Sequence, residues 1–97
     1  MNDILSLWQV HRDAGWPNFS GPSQGELMTL DTVISGCVTY YLESESGLDS
    51  QRLVILEDCL ADLNGLLLDL ADEAVAYFAR LQRLGNLLLA AHHQPEP

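Results

Sequence analysis

The sequence predicts an all-α protein: an antiparallel helical hairpin whose second arm is one long carboxyl-terminal helix, joined by a short amino-terminal helix in a bundle completed by dimerisation. Three observations predict it. Leu53, Leu56, Leu60, Leu63, Leu67, Leu70, Ala74, Tyr77, Leu81, Leu84, Leu88 and Ala91 recur at alternating steps of three and four, the spacing of a helix seam. Leu27, Leu30, Ile34, Cys37 and Tyr41 step in the same way ahead of them. The segment between the two runs, Ser44-Glu45-Ser46-Gly47-Leu48-Asp49, is short and rich in turn formers, which makes the helices antiparallel neighbours.

The amino-terminal helix is expected over 3–13. It places Ile4, Trp8 and His11 on one face, with Leu5 and Leu7 beside them, and the Gly- and Pro-containing stretch 14–22 ends it. Trp16 and Phe19 are expected to pin that loop to the bundle, in preference to forming an aromatic recognition patch with Trp8. The second helix is expected over 23–45, opened by Ser23 with Glu26 three positions later, the spacing of a capping box. Thr32, Val33, Ile34, Val38, Thr39, Tyr40 and Tyr41 favour strands, but strict alternation is absent and helix is preferred.

The third helix is expected over 49–93, capped by Asp49 or Ser50 and stopped by Pro95, with a frayed tail at 94–97. Cys59, Leu66, Phe78 and Leu87 flank its seam, with Val54, Leu68, Val75 and Leu89 beyond them, so the apolar stripe is expected to be wider than a two-stranded coiled coil requires. Folding the two arms about the connector sets Tyr41 near Leu56, Cys37 near Leu60, Ile34 near Leu63, Leu30 near Leu67 and Leu27 near Leu70. A continuous helix would be about 65 to 70 Å long at ~1.5 Å per residue, twice the ~32 Å diameter expected of a compact chain of 97 residues. Its far half would then need a second copy. The homodimer interface is accordingly expected at Tyr77, Phe78, Leu81, Leu84, Leu87 and Leu88. The alternative is a break at Asn64-Gly65, or at Asp69 or Asp72 with a new helix from Glu73 onward, giving a monomeric bundle of four helices. The uninterrupted heptad phase favours the continuous helix.

Composition narrows function without identifying it. Fourteen acidic residues face four Arg and no Lys, a net charge of -10. Phosphate backbones and anionic lipid surfaces are held by basic side chains, so neither nucleic acid nor membrane is an expected partner. With 47% hydrophobic residues the chain is too apolar for a disordered acidic tail. The opening Met-Asn-Asp-Ile-Leu-Ser-Leu-Trp has no basic n-region or long apolar run, and a cytoplasmic location is expected. Cys37 and Cys59 lie 22 positions apart, which is no metal-finger spacing, and are expected to be small buried residues.

Catalytic patterns are scarce. No glycine-flanked nucleophile, phosphate-cradling loop or Glu-x-x-His pair occurs, His92-His93 falls at the tail, and the chain is expected to be no enzyme and to carry no cofactor or metal. Asp58, Asp62, Asp69, Asp72 and Glu73 lie opposite the seam, spread too widely to ligate one cation. They form the candidate surface for a basic protein partner. The expected function is a non-enzymatic helical interaction or adaptor module acting as a homodimer. Its alternative is an acidic inhibitor or immunity-type protein that neutralises a basic partner through that face, and a small-ligand site near Cys37, Cys59 and Tyr40 has only the thiols behind it.

Overall fold

Leucine-rich seams on four helices meet in one core in the computed structural model of the chain, which describes residues 3–17, 21, 23–45, 47–70 and 72–92. The helices are α1 (Asp3–Asp13), α2 (Gln24–Glu43), α3 (Ser50–Leu67) and α4 (Asp72–His92), and no strand occurs among the described residues. α4 packs against the other three helices, α3 against α2 and α4, and α1 mainly against α4. The bundle measures 44 × 24 × 21 Å, with a radius of gyration of 13.4 Å. Among the described residues no helix is long and apolar enough to cross a membrane.

The long helix expected over 49–93 is two helices. α3 ends at Leu67, the amides of Asp69 and Leu70 turn back to the carbonyls of Leu66 and Leu67, and α4 opens at Asp72. This is the alternative break placed at Asp69 or Asp72. The periodicity concealed it because the connection, residues 68–71, is four residues long, close to the 3.6 of one helical turn. Leaving and re-entering a helix across such a gap keeps the heptad phase almost unchanged, so phase continuity could not tell a straight rod from a corner. Charge favours the corner, since Glu73 stands on the first turn of α4, at the positive end of its dipole. A rod of ~67 Å would also overrun the 44 Å long axis.

The corner draws the residues of the expected dimer interface into the chain's own core. Folded back, α4 places Phe78, Leu81, Leu84 and Leu88 at zero exposure in the chain's own core, with Tyr77 buried and Leu87 packed against the same cluster. Those six residues are therefore covered in cis, and the exposed apolar surface that called for a second copy is absent from this part of α4.

The layers expected between the first two arms are all drawn into that core. Leu27, Leu30, Ile34, Cys37, Leu56, Leu60 and Leu63 are buried, while Tyr41, Leu67 and Leu70 pack against them. Burial of this kind stabilises by roughly 1.5 to 3 kcal/mol per large apolar side chain, and it overrides the strand preference of Thr32, Val33 and Tyr40. Gly85 is buried in α4 opposite Leu60, and a Cβ there would fall inside the contact distance of the Leu60 side chain. Its missing side chain lets α3 and α4 approach closely.

The caps divide. Asp49 caps α3 as expected: its Oδ1 accepts from Arg52 N at 2.8 Å and its Oδ2 from Arg52 Nη1 at 2.6 Å. The backbone bond from Arg52, aided by the guanidinium, holds the Asp49 carboxyl below its usual range. Ser23 makes no side-chain cap bond, so the capping box expected with Glu26 does not form, and α2 begins instead with Gln24 N–H donating to Gly21 O. Phe19 and the tail 94–97 lie outside the described residues.

Candidate functional site

Two features could carry chemistry or recognition: a polar cluster inside the bundle and the outer face of α3. The cluster forms where α1 crosses α2 and α4. His11 comes from the apolar face of α1 and is 3% exposed. Asp31 comes from the inner row of α2, four positions after Leu27 and three before Ile34, and Tyr77 and Arg80 stand three apart on α4. The Arg80 Nε–H donates to His11 Nδ1 at 3.1 Å, which leaves Nε2 to carry the ring proton and donate to Asp31 Oδ1 at 3.3 Å. Tyr77 Oη donates to Asp31 Oδ2 at 3.1 Å, and Ser35 Oγ reaches Oδ1 at 3.4 Å.

Asp31 thus receives three donors, which offsets the cost of placing a carboxylate in the seam. Burial, and then the charge of Asp31, push the Tyr77 phenol up to about 12. Aromatic contacts surround the cluster: His11 lies 4.4 Å from the Tyr77 ring, and Trp16 packs edge-on against Tyr77 and Phe78 at 5.6 and 5.5 Å. Trp16 anchors its loop, as expected from the sequence. Both nitrogens of His11 are taken and its ring is shut from solvent, so the cluster presents no free base to a substrate. Its chemistry is that of a polar fastening for α1.

Sequence reasoning placed His11 on the correct face and named Tyr77, but did not connect them with Asp31 and Arg80. A signal was available. Asp31 stands beside Leu30 on the face shared by Leu27 and Ile34, and a carboxylate against an apolar seam requires donors from facing helices.

The outer face of α3 is the second feature. Its inner row, Leu56, Leu60 and Leu63, meets α2 and α4. On the opposite side, Val54, Ile55, Asp58, Ala61, Asp62, Gly65 and Leu68 are all exposed. At 3.6 residues per turn these positions share an arc of about 140°. Val54 is 56%, Ile55 41% and Leu68 87% exposed. Asp58, Asp62, Asp69 and Glu73 are exposed too, and among the described residues no Arg or His lies within ion-pair distance of them. The corner divides the expected acidic face: Asp58 and Asp62 lie on α3, Asp69 in the turn and Glu73 on the first turn of α4. The Asp72 side chain lies outside the described residues.

The two thiols are free, Cys37 buried and Cys59 half-buried. Burial raises both above the usual thiol value, and Cys37, Asp62 and Asp58 raise Cys59 further, which disfavours the nucleophilic thiolate. Among the described residues no group of three or more His, Cys, Asp or Glu is disposed to hold a metal ion.

No family model, curated protein or solved structure matches this chain.

Proposed function

We propose that this protein is a non-enzymatic helical interaction module that binds a basic protein segment on the outer face of α3. One observation carries the reading: Val54, Ile55 and Leu68 are exposed on the same helical arc as Asp58 and Asp62, with no helix packed over them among the described residues. Exposed aliphatics supply apolar area to a partner, while the carboxylates set its charge and orientation. The complementary occupant is an amphipathic helix with aliphatic residues on one side and Arg or Lys beside them. Inhibition of a basic toxin or nuclease, in the manner of an immunity protein, is a biological form that suits a chain of 97 residues and net charge -10.

The test uses a synthetic amphipathic Leu/Arg helical peptide and a control of the same composition with the periodicity scrambled. The patterned peptide is expected to shift the amide resonances of residues 54–69 and to bind less tightly as salt rises. Binding should weaken in Asp58→Asn/Asp62→Asn and in Val54→Asn/Ile55→Asn. Equal binding of the scrambled peptide, or resonance shifts confined to other helices, would overturn the assignment.

A further inference from the structure

The far end of the bundle carries a second histidine whose two nitrogens hold opposite roles. His92 lies in the last turn of α4, and its Nδ1–H donates to the carbonyl of Leu88 at 2.8 Å. Its Nε2 accepts the backbone N–H of Leu48 at 2.9 Å, across 44 positions of sequence. Leu48 belongs to the connector between α2 and α3 and is buried, although the segment around it has no helix hydrogen bonds of its own. Gly47 precedes it at φ 79°, with its Cα against the imidazole, so that any Cβ there would collide with His92 Nε2. The Tyr41 ring of α2 packs edge-on against the imidazole at 5.4 Å. A hydrogen bond to a ring nitrogen thereby joins the connector to α4.

From this geometry we infer that His92 is a proton-controlled latch, closed when the imidazole is neutral and released when it is protonated. An imidazolium has two donors and no acceptor. Protonation therefore sets Nε2–H against Leu48 N–H and destroys that bond, while the bond to the Leu88 carbonyl becomes charge-assisted and the α4 dipole favours the new charge. The ring stays on α4, and the Leu48 amide loses its acceptor. The titratable groups on the segments packed around it are Tyr41 on α2, Glu45 and Asp49 on the connector, and Arg52 on the first turn of α3. Asp49 and Arg52 are engaged with each other, and among the described residues no carboxylate lies within ion-pair distance of His92. A solvent-facing cleft lined by Tyr41, Leu42, Ser44, Glu45 and Gly47 adjoins the latch and gives the connector room to move.

The experiment is nuclear magnetic resonance on the whole, uniformly nitrogen-15 labelled chain, well above and well below the ordinary imidazole range of about 6.5. A through-hydrogen-bond coupling between Leu48 N and His92 Nε2 is expected on the alkaline side and should vanish on the acid side. Exchange of the Leu48 amide, corrected for its intrinsic pH dependence, should accelerate by several-fold to about tenfold as the bond is lost. In His92→Gln, which can offer a neutral acceptor, the Leu48 amide should lose that pH dependence, and in His92→Phe it should exchange quickly at both pH values. Absence of the coupling on the alkaline side, its persistence after ring protonation, or the same pH response in His92→Gln would overturn the latch.

Discussion

α3 and α4 are cut from one uninterrupted leucine seam, yet they end in different environments. α3 buries Leu56, Leu60 and Leu63 and leaves Val54 and Ile55, with Leu68 at its cap, in solvent, whereas α4 buries Ala74, Tyr77, Phe78, Leu81, Leu84, Gly85 and Leu88. At 3.6 residues per turn, buried and half-buried positions span about 140° of α3 and about 220° of α4. The difference follows from the number of neighbours, two against three. Heptad spacing reports that a helix has an inner side. The width of the covered arc is decided by how many helices reach it, and on α3 the uncovered remainder holds the surface proposed for a partner.

Breaking that contrast takes one pair of substitutions. Phe78→Ala empties a fully buried position where α4 is surrounded and should cost about 3 to 5 kcal/mol, measured by urea unfolding. Leu68→Ala, at 87% exposure, should change stability by less than about 0.5 kcal/mol. Comparable losses at both sites would mean that α3 is covered in solution.

Gly85→Ala sharpens the contrast at the contact between the two helices. The added methyl meets Leu60, itself 4% exposed, so Leu60 must change rotamer or the helices must separate. A loss of about 1 to 3 kcal/mol is expected from such overpacking, with a lower thermal midpoint and little change in helical circular dichroism at low temperature. A stabilising effect would show that α3 and α4 stand further apart.

Tyr77 separates polar from apolar anchoring on α4. Tyr77→Phe keeps the ring among His11, Trp16 and Phe78 but removes one of the three donors to Asp31, for an expected cost of about 1 kcal/mol. The phenol is raised from 10.0 to about 12, so the folded state holds this proton more tightly than the unfolded chain does. Its contribution is complete below pH 10.0 and is lost as pH rises toward about 12. Wild type should lose stability across that window, and Tyr77→Phe should lose less. Parallel pH profiles would remove Tyr77 from the cluster's energetics.

The smallest stability effect is expected on the open face. Asp58→Asn/Asp62→Asn neutralises two exposed carboxylates, and removing like charge from a chain of net charge -10 should raise stability by under ~0.5 kcal/mol, seen as a slightly higher thermal midpoint. A large destabilisation would show that these carboxylates hold the fold together and are not spare for a partner.

Helix positions were largely legible in the sequence, and the site was less so. Asp3–Asp13 emerges where the Ile4, Trp8, His11 face and the following Gly and Pro placed it, and α2 falls one residue inside the expected start and two inside the end. The acidic residues opposite the seam are exposed where described, because a stripe of leucines turns its opposite side to water. The His11, Asp31, Tyr77, Arg80 cluster was not legible, because its hydrogen-bonded pairs are separated by 20 to 69 positions and meet only after three helices pack. The His92 latch is of the same kind: near the chain end a histidine looks solvated until the connector carrying Leu48 folds against it.

By itself the sequence determined helicity, the inward rows and the acid excess on the other side, since each depends on spacing within one segment. Only tertiary structure decided the corner after Leu67, the covering of Phe78, Leu81 and Leu84 by the chain's own helices, and the pairing of His11 and His92 with distant donors and acceptors. The physical reason is that a four-residue turn advances the chain by nearly one helical period. A straight continuation and a reversal then show the same pattern of leucines, and the competition between them is settled by the apolar area that the reversal buries.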